Sequence, residues 1–170
     1  SPADVRVTAG MPPRAELLPL AQFIADIKIS ASLEAQARGC GFAVSAVDPT
    51  LAVKADPELL FSAIGNLLQN AFKFTEQHTQ VSLSVRPAAD RILIHVQDSC
   101  GGLPAGDAQK MFLPFAQAGA DKSGLGLGLS ICQRSVEANG GLLSVRDLPG
   151  SGCAFTTDLP RHALPQTLPA

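Results

Sequence analysis

The run Gly124-Leu125-Gly126-Leu127-Gly128-Leu129-Ser130-Ile131 sets a glycine at every second position, leading into a stretch that reads as a helix. Glycine lets backbone amides come close to an anion and tolerates unusual dihedrals, and the helix N-terminus adds partial positive charge. The chemistry this suits is the cradling of phosphate oxygens. Glycine-rich turns before helices also serve plain packing, so the run needs company. Asn66, Asn70 and Lys73 stand at i, i+4 and i+7 of another helical stretch and so share one narrow face, roughly opposite its apolar set. Two carboxamides and an ammonium suit an anion together with a hard cation, although a merely solvated polar face has the same composition. Asp98 closes an apolar strand pattern and is followed by Ser99-Cys100-Gly101-Gly102-Leu103-Pro104. A carboxylate there can accept a hydrogen bond from an exocyclic amine, a charge-assisted bond worth about 1.5 to 3 kcal/mol. The plain alternative is a turn aspartate that satisfies its own loop.

Phe112-Leu113-Pro114-Phe115 precedes a loop of small residues, 116–123, that contains Lys122. Two phenylalanines around a proline can anchor one end of a hinged lid, or they can be core plugs beside an ordinary surface loop.

These groups need elements to hold them. Leu20 to about Arg38 reads as a helix, with Phe23, Ile24, Ile27, Ala31, Leu33 and Ala35 as its apolar positions and Gly39 and Gly41 as its stop. Phe42–Val47 and Leu51–Lys54 read as short strands about a turn at Asp48-Pro49. Asp56 can cap the next helix and Pro57 open it, after which Leu60, Ala63, Ile64, Leu67, Leu68 and Ala71 recur at helical spacing to about Phe74. Val81–Arg86 and Arg91–Asp98 alternate about Pro87-Ala88-Ala89-Asp90, a hairpin signal, with Val81, Leu83, Val85, Ile92, Ile94 and Val96 on one face. A short helical piece is expected around Asp107–Phe112, and the helix after the glycine run should reach about Asn139, ended by Gly140-Gly141. Leu142–Arg146 and Ala154–Leu159 form a last strand pair through Pro149-Gly150-Ser151-Gly152. The fold class is α+β, a sandwich with helices on one face of a sheet.

The 170 residues, 46% hydrophobic, suffice for one sizeable core. A net charge of −2 with scattered Lys and Arg, and neither Trp nor Tyr, argues against nucleic acid as a partner. Charge or glycine interrupts every apolar stretch before a membrane-spanning length is reached, and no signal peptide pattern opens the chain, so no direct membrane contact is expected. Cys40, Cys100, Cys132 and Cys153 lie far apart with no Cys-x-x-Cys pair, which fits reduced cytosolic thiols better than disulfides or zinc. His78, His95 and His162 are equally dispersed, and His95 in its alternating strand reads as a surface histidine.

In order and spacing these segments resemble the ATP-binding catalytic domain of sensor histidine kinases, over about residues 15–160. Asn66-Leu67-Leu68-Gln69-Asn70-Ala71-Phe72-Lys73-Phe74-Thr75 is similar to the family's N box, Asp98–Pro104 to its first glycine box, Phe112–Phe115 to its F box and Gly124–Ile131 to its second glycine box. The resemblance implies the Bergerat sandwich of type II topoisomerases, Hsp90 chaperones and mismatch-repair ATPases: a two-layer fold with a mixed, mainly antiparallel sheet of about five strands and three main helices on one face. It implies that Asn70 ligates Mg²⁺ bridging the phosphates of ATP, with Asn66 and Lys73 in support. Asp98 would accept the adenine amino group and Gly102 would line the base pocket. Gly124, Gly126 and Gly128, with Leu127 among them, would lie along the phosphates, and Lys122 would reach the γ-phosphate.

Three departures carry consequences. Cys100 stands where the family's first glycine box has glycine, although Gly102 keeps the second position. The loop between Phe115 and Gly124 is short for the family, which predicts modest ATP affinity. Where ATPase relatives and the anti-sigma-factor serine kinases place a glutamate base, four residues before the metal asparagine, this chain has Asn66. An amide accepts no proton, so slow hydrolysis is expected, with phosphate transferred only when a partner brings the nucleophile and its base.

None of the three histidines has the family's acceptor setting: His78 is followed by Thr79, His95 by Val96 and His162 by Ala163. No catalytic residue is therefore expected within 1–170. Residues 1–14, rich in Pro and Gly and starting without Met, read as the linker from a dimerisation and histidine-phosphotransfer domain, and 161–170 as a tail or linker. The expected function is transfer of the γ-phosphate of Mg-ATP to a histidine on that domain, leaving ADP. A homodimer in the full-length protein, a response-regulator receiver domain as downstream partner and the cytosolic portion of a bacterial sensor follow from the same resemblance. The rival is a nucleotide-binding regulatory module, or a Bergerat ATPase, without kinase output.

Overall fold

The computed structural model describes residues 5–7, 9–75, 79–99, 125–148 and 152–165. Their elements run β1 (Glu16–Pro19), α1 (Leu20–Arg38), β2 (Gly41–Val44), β3 (Leu51–Ala55), α2 (Pro57–Phe74), β4 (Gln80–Ala88), β5 (Arg91–Gln97), α3 (Leu125–Ala138), β6 (Leu142–Leu148) and β7 (Gly152–Ala163). A helical turn at 5–7 precedes them.

The helix ends follow local chemistry. Asp56 accepts the N–H groups of Glu58 and Leu59 at 3.1 and 3.3 Å, Pro57 needs no partner at the first helical position, and Lys73 sits in the last turn where the helix dipole favours a cation. Gly39 ends α1 at φ 71°, a left-handed cap that gives its N–H to the last carbonyls. Leu20, Phe23, Ile24, Ile27 and Ala35 of α1 are buried as their spacing predicts, whereas Leu33 is 69% exposed and stands outside the core.

One mixed sheet receives the helices, in the order β1-β3-β7-β5-β4-β2, with β6 also on β7. Only β2 with β4 is parallel; β1 with β3, β3 with β7, β4 with β5, β5 with β7 and β6 with β7 are antiparallel. The sheet has seven strands where about five were expected. The strand without a sequence signal is β1, which ends in Pro19 and has only four residues and little alternation to announce it. Strand β7 is longer than its sequence pattern: one edge lies along β5, and the other meets β6 and then, at Arg161–Ala163, β3. In the hairpin, β4 continues through Pro87, which pairs with Ile92, and β2 covers only Gln80–Leu83 on the far edge. A proline there blocks no ladder bond. The turn narrows to Ala89-Asp90, with Ala89 at φ 55°.

Alternation decides the layers. Ile92, Ile94 and Val96 are buried while Arg91, Leu93 and His95 between them are half-buried, and Val81 and Leu83 of β4 follow suit. That buried face joins a single core with Leu60, Ile64, Leu67 and Leu68 of α2, Ile24 and Ile27 of α1, and Leu129, Cys132 and Val136 of α3. Edge-on ring contacts tie α2 to its neighbours on one flank: Phe61 to Phe23 of α1 at 6.2 Å and Phe72 to Phe42 of β2 at 5.2 Å. Among the described residues, no helix is long and apolar enough to cross a membrane.

Candidate functional site

On α2 the exposed positions are Glu58, Phe61 and Gln69, and the buried stripe lies across the helix from them. Asn66, Asn70 and Lys73 are all half-buried and fall between the two, on one flank. The opposite flank carries Phe61 and Phe72, which face α1 and β2. The amides and the lysine are thus on the side that meets α3 rather than diametrically opposite the core. The Lys73 ammonium lies 5.3 Å from the Phe74 ring centroid.

Two contacts fix how α3 lies along that flank. Asn139, just past the end of α3, accepts the Asp56 N–H on Oδ1 at 2.8 Å and gives its Nδ2 to Ser135 O at 2.7 Å. Midway along, the Cys132 thiol donates to Ala63 O at 3.4 Å. From Asp56 to Ala63 and from Asn139 to Cys132 is seven residues each, so the helices run antiparallel in step. Continued for a further seven residues on each, the same step would bring Asn70 level with Leu125, the first residue of α3. Gly126 and Gly128 occupy the first turn of α3, whose N–H groups have no acceptor within the helix itself, and the same step turns that helix start toward the Asn70 end of α2.

Asp98 closes the corner. It is 5% exposed just beyond β5, and its carboxylate is held by a neighbouring strand, the Cys153 N–H donating to Oδ1 at 3.0 Å. In return Asp98 N–H donates to Cys153 O at 2.9 Å. Gly152, at φ 156°, has no room for a side chain, since a Cβ there would overlap the Asp98 carbonyl oxygen and stand 2.7 Å from its carbon. Ser99 N–H goes to Thr75 Oγ1 at the end of α2 at 3.0 Å. Gly152 and Cys153 border this corner without a local pattern that marks them, whereas Thr75 closes the segment Asn66–Thr75 singled out in the sequence. Gly102, Lys122, Gly124, Cys100, the phenylalanine pair and the piece around Asp107–Phe112 lie outside the described residues.

The far end of the α2–α3 pair is an electrostatic joint. Asp56, 1% exposed, receives Arg6 Nη1 at 2.7 Å and Arg14 N–H at 2.8 Å on Oδ2, so residues placed in the linker by composition lie against the cap of α2. Burial by itself would raise the Asp56 carboxyl. The hydrogen bonds from Arg6, Arg14 N–H and Leu59 N–H, with the Arg6 charge, outweigh it and hold the group at about 2. His95, on the other face of the sheet, shares a 2.9 Å hydrogen bond with Thr156 Oγ1, and burial with nearby Arg86 and Arg146 lowers its pKa.

An open, mainly antiparallel sheet covered on one face by three helices, with a glycine-bearing helix start set against an amide-lined flank, defines a domain of the Bergerat class. Residues 55–163 match the family described as "Histidine kinase-, DNA gyrase B-, and HSP90-like ATPase". The chain is 39% identical over 119 residues to the sensor histidine kinase RcsC of Escherichia coli K12, a match covering 68% of this chain and 12% of that protein. It is 40% identical over 97 residues to the alginate biosynthesis sensor protein KinB of Pseudomonas aeruginosa, covering 57% of this chain and 16% of KinB. The chain therefore spans only a small part of these relatives. Among solved structures, full-length ShkA in complex with AMPPNP superposes with a TM-score of 0.81 at 25% identity, over 95% of this chain and 34% of that one. The mycobacterial sensor histidine kinase MprB, at 24% identity and a TM-score of 0.74 over 88% of this chain and 99% of that one, shares the fold. The chain belongs to the histidine kinase-, DNA gyrase B- and HSP90-like ATPase family, as a histidine-kinase-type domain.

Proposed function

We propose that this domain binds Mg-ATP in the corner formed by the α2 flank, the start of α3 and the end of β5, and passes the γ-phosphate to a histidine on a dimerisation domain of the same protein. The observation that supports this reading is the antiparallel seating of α3 on α2, by which the glycine-bearing start of α3 would come to the Asn66 and Asn70 end of α2. Phosphoryl transfer asks a protein for position and charge more than for covalent chemistry. The N–H groups at the start of α3, with Gly124, Gly126, Leu127 and Gly128, would lie along the triphosphate, and Lys73 and Lys122 would supply positive charge. Asn70 would hold Mg²⁺ through its carboxamide oxygen, a neutral hard donor of the kind that ion takes, with Asn66 beside it. Bound Mg²⁺ supplies charge neutralisation on the phosphate oxygens. Asp98 would accept the adenine amino group, with Gly102 against the base. In the transfer the bond from the γ-phosphorus to the bridging oxygen breaks, a bond to the imidazole nitrogen forms, and ADP leaves.

The acceptor domain, a response-regulator receiver domain as next partner and a homodimeric whole protein belong to the same proposal. Asn66 in the place of a glutamate base supports slow hydrolysis by the domain alone. Incubating the domain with labelled ATP and the dimerisation domain tests the reading. Label is expected on the histidine, and normal ATP binding without label there would leave a nucleotide-binding module without kinase output. Asn70→Asp and Asp98→Asn should each abolish Mg-ATP binding by isothermal titration while keeping the thermal unfolding transition. Unchanged binding in both would move the site elsewhere.

A further inference from the structure

Asp98 leaves the sheet at the end of β5, where the following peptide has run out of ladder. A backbone N–H in such a place needs another acceptor. Ser99 N–H finds it in Thr75 Oγ1 at 3.0 Å. Thr75 is the last cap of α2, its own N–H still bonded to Ala71 O at 2.9 Å. Its hydroxyl also shares a 2.9 Å hydrogen bond with Thr79 Oγ1, just ahead of β4. On the other side Asp98 is gripped by β7 through both of its bonds to Cys153, and Gly152 gives its backbone room to pass. Residues 98 and 99 are therefore clamped between β7 and the end of α2.

The α2 jaw of this clamp belongs to the helix that carries Asn66, Asn70 and Lys73, since Thr75 lies two residues beyond Lys73. We infer that Thr75 is a positioning residue: its hydroxyl sets the adenine-reading carboxylate of Asp98 at a fixed place relative to the phosphate-reading groups of α2. This rests on the nucleotide assignment proposed above. A β-branched hydroxyl suits the task, because restricted χ1 keeps the acceptor on Ser99 and the lone pair takes the N–H. Valine has the same shape and no acceptor.

Titration of the 170-residue chain with Mg-ATP and, separately, with magnesium tripolyphosphate tests this. Thr75→Val is expected to weaken Mg-ATP by roughly 2- to 10-fold, the loss of one hydrogen bond's net worth. Tripolyphosphate has no base to be read, so its affinity should stay at the wild-type level, and Thr75→Ser should restore ATP binding. Should the valine variant fail to fold, Thr75→Ala removes the same acceptor without its branches. Wild-type ATP affinity in the variant, or loss of ATP and tripolyphosphate in equal proportion, overturns the inference. Asp98→Asn separates the two levels. If it abolishes ATP binding while Thr75→Val does nothing, the clamp alone falls; if it leaves ATP binding intact, the nucleotide assignment falls and the clamp with it.

Discussion

Replacing Asp56 by asparagine keeps a cap oxygen for α2 and removes the charge, so it isolates what the carboxylate does. The group is buried and held at about 2 against an ordinary 3.8. At about 1.4 kcal/mol per unit, that difference corresponds to about 2 kcal/mol of folding stability. The sign follows from the direction. A depressed folded pKa means that the unfolded chain takes up the proton first, so the stabilisation is complete above the unfolded value and disappears as pH falls through the folded one. Urea unfolding of wild type and Asp56→Asn at steps between pH 7 and pH 2 should therefore show a stability gap that is constant down to about pH 5 and then shrinks by about 2 kcal/mol. Other carboxylates cancel in the difference, including Asp48, whose pKa is lowered by the Thr50 N–H and hydroxyl. Arg6→Ala should flatten the same curve in part, because Arg6 supplies both a hydrogen bond and a charge to Asp56. A gap that ignores pH throughout would refute the reasoning.

Gly152→Ala would push a methyl group into the Asp98 carbonyl and to within 2.9 Å of Ser99 Cα, so the end of β5 must shift. We expect a cost of about 1 to 3 kcal/mol in denaturant unfolding, together with weakened Mg-ATP binding. Stability and binding both at wild-type values would refute the tight approach. Thr157 in β7 is fully buried, and its hydroxyl has no hydrogen-bond partner among the described residues. Thr157→Val, of nearly the same shape, should therefore stabilise the fold by about 1 kcal/mol in the same assay, and a loss of stability would show that the hydroxyl is satisfied.

Features written in neighbouring residues could be read before any coordinates. Asp56-Pro57 opening α2, Gly39 closing α1 and the alternation that buries Val81, Leu83, Ile94 and Val96 on one face each depend on residues a few positions apart. Leu33 broke the pattern because helical spacing records a stripe but not how wide the covering partner is. The length of β7 was hidden for a related reason: Arg161–Ala163 are strand only because β3 lies beside them. In the site the same division holds. The Asn66, Asn70 and Lys73 face follows from one helix period, but the flank to which it turns depends on α1, β2 and α3. Asn139 reads as an ordinary helix-end residue until its bond to Asp56, 83 positions away, is seen. Gly152 reads as a turn glycine until the path of Asp98 over it is known.

The two joints of α2 divide the work of building the corner. At its start, Asp56 takes Asn139 on its backbone and Arg6 on its carboxylate, and this fixes the step at which α3 lies along the helix. A slip of α3 by one residue would rotate its first turn by about 100° and carry Gly126 and Gly128 off the amide flank. At its end, Thr75 fixes where the peptide after Asp98 runs. Each joint thus helps to place one wall of the proposed corner. Both joints sit on one helix, α2, which is anchored in the core by eight buried residues along its length. The segment at Arg6 and Arg14 thus packs on the start of the helix whose other end borders the proposed nucleotide corner.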